Sequence, residues 1–159
     1  MITTLSAVEH PDGEHWWIHY RAYQGNRHHI VLIGKNGIVF RDSQDVGAII
    51  QSTNDPACLQ PRFSPDGKKY VFATKASGIE IYDFDRTIGK LSIPKTIRTY
   101  DDSISCDGFC FSPNSKLFYY TKDTFVFQVN LEDTTLTSTE VGTAWGTDDN
   151  GWPYVAGLM

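Results

Sequence analysis

Phe63-Ser64-Pro65-Asp66-Gly67-Lys68-Lys69-Tyr70-Val71-Phe72 joins a tight turn to the start of a strand. Proline fixes φ at about −65° in the second position of a turn. The aspartate after it bonds back to the backbone, and glycine accepts the positive φ that closes the turn. The aromatic and β-branched run behind it is strand material. Two further stretches carry the pattern. Phe111-Ser112-Pro113-Asn114-Ser115-Lys116-Leu117-Phe118-Tyr119-Tyr120 repeats it with Asn-Ser for Asp-Gly, and His10-Pro11-Asp12-Gly13-Glu14-His15-Trp16-Trp17-Ile18 is a diverged first copy. The three prolines lie 54 and 48 residues apart.

Each copy is followed by a second apolar run: His29-Ile30-Val31-Leu32-Ile33, Gly78-Ile79-Glu80-Ile81-Tyr82 and Thr124-Phe125-Val126-Phe127-Gln128-Val129. Each run ends in a turn, at Lys35-Asn36-Gly37, at 85–90 and at 132–135. A unit of this length holds four short strands of ~5–6 residues with their loops. In the middle unit they are expected near 59–63, 69–74, 79–84 and 94–99. No amphipathic helical stretch exceeds two turns.

The strands do not alternate cleanly. Tyr70-Val71-Phe72-Ala73 and Leu117-Phe118-Tyr119-Tyr120 are apolar at consecutive positions, so both faces of these strands are covered. Small sheets packed face to face in series satisfy this, as in a β-propeller. A two-sheet sandwich, whose outer faces would be polar, is the alternative. The expected fold is therefore all-β: an incomplete β-propeller of about three four-stranded antiparallel blades plus a stub of a fourth. It forms one domain over 1–159, with blades near 1–48, 49–100 and 101–150 and the stub at 151–159. A fourth turn would fall just past Met159, which reads as a truncated product or a piece of a longer propeller. A three-blade arc exposes sheet faces at both ends, so self-association through those faces, or disorder there, is expected.

Composition agrees with a folded globular chain: 159 residues, 40% hydrophobic, 21% charged and 13% aromatic. The net charge of −5, with Arg27-His28-His29 as the one local basic spot, argues against nucleic acid as a partner. No apolar run of about 18 residues exists, so no membrane-spanning helix is expected. The first eight residues lack a basic n-region and do not read as a signal peptide. Cys58, Cys106 and Cys110 form no Cys-x-x-Cys pair, and 106 and 110 on one strand would stand about 13 Å apart at ~3.3 Å per residue. Buried thiols are the plain reading.

Residues 63–72 followed by Ile79-Glu80-Ile81-Tyr82-Asp83-Phe84-Asp85 resemble the WD-repeat-like propeller blades of TolB-type proteins. Residues 109–131 and 7–38 look like weaker copies. His15-Trp16-Trp17-Ile18, with Asn26-Arg27 and Asn36-Gly37-Ile38, also resembles the N-terminal blade of large surface proteins of gliding or type IX-secreting bacteria. The resemblance implies a non-catalytic scaffold that binds a protein or a surface ligand, at a bacterial cell surface or in the periplasm. It leaves two alternatives: the gating propeller of a prolyl-oligopeptidase-type peptidase whose catalytic domain lies elsewhere, and a periplasmic TolB-like scaffold.

No motif in the chain calls for a cofactor, a metal or a catalytic residue. His15 and His19 are four apart but on a strand, too far separated to share one metal. His28 and His29 are adjacent and point to opposite faces. Asp148-Asp149-Asn150-Gly151 lacks the closing glutamate of a calcium hand. Gly-x-Ser-x-Gly and Gly-x4-Gly-Lys are absent, Gly34-Lys35-Asn36-Gly37 being a hairpin turn. Asp83 and Asp85 sit where a strand ends, as turn formers. Trp16 and Trp17 should point oppositely, each into a neighbouring blade. The remaining binding candidates are loop residues: Tyr100, Asp101 and Asp102 between blades, and Trp145, Asp148, Asp149 and Trp152 around the last loop.

Overall fold

The computed structural model describes residues 2–22, 24–50, 60–74, 77–97, 108–122, 124–143, 146–147 and 153–154. The three turns close in the same way. Ser64 N–H donates to Lys69 O at 2.9 Å and Gly67 N–H to Ser64 O at 2.8 Å. Ser64 Oγ donates to Asp66 Oδ1 at 2.6 Å, and Asp66 Oδ1 accepts from Lys68 N at 3.0 Å. Ser112, Asn114 and Ser115 reproduce each bond. In the first copy His10 stands where the serine is, and its Nδ1 accepts from Asp12 N at 3.2 Å. The Glu14 N–H above all holds the Asp12 carboxyl well below the usual carboxylate range. The last turn position is left-handed in all three copies, with φ +72° at Gly13, +71° at Gly67 and +59° at Ser115.

Around these turns the chain folds as antiparallel meanders. The first sheet is β1 (Ile2–Glu9), β2 (Trp16–Ala22), β3 (Gly25–Gly34) and β4 (Gly37–Ile50), hydrogen-bonded in that order. The second begins with β5 (Arg62–Phe63), β6 (Lys69–Thr74) and β7 (Gly78–Asp85). Its outer position is shared by β8 (Lys90–Leu91), paired with the end of β7, and β9 (Lys95–Ile97), paired with its start. Pro94 stands in the break, where a missing N–H would spoil a continuous ladder. The third sheet is β10 (Phe109–Phe111), β11 (Leu117–Lys122), β12 (Phe125–Asn130) and β13 (Ser138–Thr143). A short pair follows, β14 (Gly146–Thr147) with β15 (Pro153–Tyr154). The sequence places the turn at 85–90; the strand Lys90–Leu91 that completes this hairpin is the element its reading lacks. It is held from the first sheet by Gln44, whose Nε2 donates to Leu91 O at 2.6 Å and whose Oε1 accepts from Leu91 N at 3.0 Å.

The sheets stack face to face, and side-chain parity shows how. Val71, Ala73, Ile79 and Ile81 of the second sheet pack on Phe109, Phe118, Tyr120 and Val129 of the third, an apolar interface. The opposite face of the second sheet, with Tyr70, Phe72, Tyr82 and Phe84, packs on Trp17, Ile30 and Val46 of the first. Consecutive apolar residues in β6 and β7 are thus buried on two sides, as the sequence requires. Trp17 is 2% exposed, and its indole Nε1 donates to Arg86 O at 2.6 Å. Trp16 departs from the expectation that both tryptophans fill gaps between blades: it is 49% exposed. It lies on the face of the first sheet turned away from the second, and no described residue stacks a further sheet there.

Candidate functional site

In each meander the first strand is an edge. The edges β1 and β5 flank a groove of about 800 Å³, lined by residues 5–9 on one side, 60–65 on the other, and Trp16, Gly67 and Arg86. Two side chains tie its walls together. Gln60 Nε2 donates to Leu5 O at 3.1 Å, and Arg86 donates from Nε to Glu9 O at 2.9 Å and from Nη1 to Asp66 O at 3.0 Å. The walls meet at Gly67, where a Cβ would stand 2.7 Å from Val8 Cγ2 and 2.8 Å from Arg86 Cδ. Edge strands present backbone donors and acceptors to an incoming chain. The groove adds the exposed Arg62. Among its lining residues Glu9 is the single carboxylate and no histidine is present. That set lacks both the paired carboxylates of glycoside hydrolysis and a base beside a serine.

A second cluster lies between the first and second sheets. Arg21 Nη1 donates to Glu80 Oε2 at 3.1 Å, with both side chains almost wholly buried. Glu80 also accepts from Tyr82 OH at 2.9 Å and from Ala48 N at 2.7 Å. The Arg21 guanidinium donates to Ala48 O as well and lies 4.5 Å from the centre of the Phe72 ring. Beside it His28 Nδ1 and His19 Nε2 are 3.2 Å apart, packed against Tyr70. Burial, with the nearby Arg21 charge, pulls His19 down to about 3; burial, then His19 and Arg21, pulls His28 to about 2. Both rings are neutral near pH 7. Burial raises the Tyr70 and Tyr82 phenols above their ordinary range. Almost wholly buried, the cluster joins the first and second sheets.

The sequence reading placed His28 and His29 on opposite faces, and so they are: His28 is buried and His29 stacks on Tyr20 at 4.9 Å on the other side. It missed the partner of His28. Antiparallel pairing sets His19 opposite Ile30 and Arg21 opposite His28, which makes His19 and His28 diagonal neighbours on one face. Asp83 pairs with Lys69, and Asp85 Oδ1 caps the following turn by accepting from Thr87 N at 2.8 Å. Cys110 is a free, half-buried thiol raised by burial; Cys58 and Cys106 lie outside the described residues. The loop candidates Tyr100, Asp101, Asp102, Trp145, Asp148, Asp149 and Trp152 all lie outside them too.

No family model matches the chain, and no curated protein does. Solved structures do. The Cps50 (Swd1) β-propeller domain of Myceliophteria thermophila is similar with a TM-score of 0.56 at 11% identity, over 89% of this chain and 45% of that one. The periplasmic gluconolactonase PpgL of Pseudomonas aeruginosa gives 0.57 at 11% identity, over 86% and 38%. The U3-55K structure gives 0.52 at 17% identity, over 94% and 41%. The chain spans less than half the length of each of these structures. At such identities the likeness is one of fold, and by fold the chain is an arc of a β-propeller, three antiparallel blades stacked in series.

Proposed function

We propose that the chain is a non-catalytic propeller segment that binds a protein or surface ligand along the groove between β1 and β5. The supporting observation is the groove itself: two neighbouring edge strands, an exposed arginine and a single carboxylate form a surface that recognises an extended chain and lacks an acid–base pair. A location at a bacterial surface or in the periplasm accompanies this reading, on the resemblance of 15–38 to the first blade of surface proteins.

Panning the immobilised chain against a displayed library of random extended peptides tests it. Recovered peptides should lose affinity about tenfold or more on Arg62→Glu, which reverses the charge in the groove. Gluconolactone, the substrate that gives one structural neighbour its name, should not be hydrolysed. Turnover abolished by Glu9→Gln would overturn the binding-only reading.

A further inference from the structure

The register of β1 on β2 shows which backbone groups of β1 face the groove. His10 N–H donates to His15 O. The hydrogen-bonded pairs of the two strands are therefore His10 with His15, Val8 with Trp17 and Ser6 with His19. The residues between them, Ala7 and Glu9, turn their N–H and C=O groups away from β2, to the free edge, and Leu5 turns its C=O the same way. The two side chains that cross the groove agree with this parity: Gln60 reaches Leu5 O and Arg86 reaches Glu9 O. Between them stay Ala7 N–H, Ala7 O and Glu9 N–H, none of which has a partner among the described residues. Across the groove Ser64 N–H donates to Lys69 O, so by the same parity Phe63 turns its N–H and C=O to the free edge of β5.

An ordinary antiparallel edge offers donors and acceptors in equal number. Along 5–9 two of the three outward carbonyls are already bonded, which leaves two donors to one acceptor. Charge runs the same way. The ionised side chains of the groove are Arg62, Arg86 and Glu9, two cations to one anion, in a chain whose net charge is −5. Arg86 uses Nε and Nη1 on carbonyls, and its Nη2 has no partner among the described residues. A donor-rich edge with a local excess of positive charge fits an acidic chain. On the reading that this groove is a binding surface, we propose that its partner is an acidic protein segment, added to β1 as one short strand. One residue of the segment exchanges both backbone bonds with Ala7. An Asp or Glu carboxylate beside it meets the Glu9 N–H and the Arg86 guanidinium. The ladder is short because the bonded carbonyls of Leu5 and Glu9 bound it on either side.

Fluorescence anisotropy on the full chain tests this, with end-blocked, labelled peptides that alternate Val with Glu, with Gln or with Lys. The Glu peptide should bind about tenfold or more tighter than the Gln peptide, and the Lys peptide weakest. Added salt should narrow the gap. N-methylation of successive amides in the Glu peptide should cost about tenfold at one position, the residue opposite Ala7. Ala7→Pro removes an N–H that the β1–β2 ladder does not use, so strand circular dichroism should persist while the Glu peptide is lost. Should Ala7→Pro unfold, the N-methyl series on the unaltered chain decides alone. Equal affinity for the Glu and Gln peptides overturns the proposal. So does an N-methyl series with no sensitive amide, or a folded Ala7→Pro chain that binds as before. Random-library peptides that bind the groove without acidic residues overturn the acidic partner and leave the groove reading standing; a groove that retains no peptide at all overturns both.

Discussion

Removing Glu80 should separate the first two blades more effectively than any other single truncation. Glu80→Ala leaves the Arg21 guanidinium buried without its carboxylate, and takes the acceptor from Ala48 N–H and Tyr82 OH at the same time. Breaking one side of a buried ion pair costs about 3–5 kcal/mol, because the partner's charge stays desolvated. Against a total stability of about 5–15 kcal/mol, that is a large share. At about 2–4 °C per kcal/mol for a chain of this size, the midpoint should fall by about 6–20 °C. Urea unfolding followed by far-ultraviolet circular dichroism and tryptophan fluorescence measures it, with Trp17 reporting from the same interface. The double variant Arg21→Met, Glu80→Met is the control: it fills the volume and removes both charges, and should recover most of the loss. Two results would refute the reasoning. One is a cost below about 1 kcal/mol for Glu80→Ala; the other is a double variant no more stable than the single one.

Acid should weaken the same interface before carboxylates titrate. His19 and His28 are held near 3 and 2 in the folded chain against an ordinary 6.5, so the unfolded chain takes up protons first as pH falls, and stability drops from pH 6.5 downward by up to about 2.7 kcal/mol per unit. The groups facing the two rings are Arg21, Tyr70, Tyr82 and Glu80; a His19→Phe, His28→Phe chain should lose the slope between pH 6.5 and 4.5 in urea titrations. Gly89→Ala should cost about 2 kcal/mol or more, since φ is +68° and the new Cβ would stand 2.7 Å from the buried Trp17 ring. Gly13→Ala, with φ +72° and nothing within 4 Å, should cost only about 1 kcal/mol, and equal losses in thermal melts would discredit the crowding argument. Ser115 holds φ +59° and its Oγ accepts from Asp66 N at 3.0 Å. Ser115→Gly should therefore be nearly neutral, strain relieved against a bond lost, while Ser115→Ala should lose about 1 kcal/mol.

What was legible in the sequence is local. Ser64-Pro65-Asp66-Gly67 specifies its turn by its own chemistry, and the consecutive apolar residues of 70–73 announce two covered faces, so the series of stacked sheets could be read directly. Two elements were hidden because their cause is distant. The two-residue strand Lys90–Leu91 exists through the Gln44 amide, 47 residues away. The Arg21–Glu80 pair is separated by 59 residues and needs the stacking of whole blades to be seen. Trp16 reads as core from the sequence because parity says which way a side chain points and is silent about what stands opposite, and it is 49% exposed. The groove between β1 and β5 was illegible for the same reason: an edge strand becomes a wall only when a neighbouring blade supplies the other side.

The two blade interfaces differ in a way that fixes the order of stacking. A repeat with interchangeable apolar faces could stack its units in the wrong sequence at little cost. Here the third blade carries Phe127 at the position of Glu80, each lying opposite the equivalent strand residue, Tyr120 and Phe72. Packing the first blade on the third would set Arg21 against the Phe127 and Tyr120 rings where Glu80 is missing, with the nearest carboxylate of that face, Glu140, out on the exposed strand β13, at a cost of several kcal/mol. The open face of the first blade has Val31 at that same position, opposite Ile18. It therefore offers the Arg21 face of another first blade no carboxylate at that position, and Arg41 lies opposite Val31 on the same face. The aliphatic face of the second blade is uncharged but already occupied. The third blade's face, with Tyr119, Val126 and Gln128, is uncharged too. Thus one buried ion pair directs the first blade onto the second, the blade that offers Arg21 a buried carboxylate.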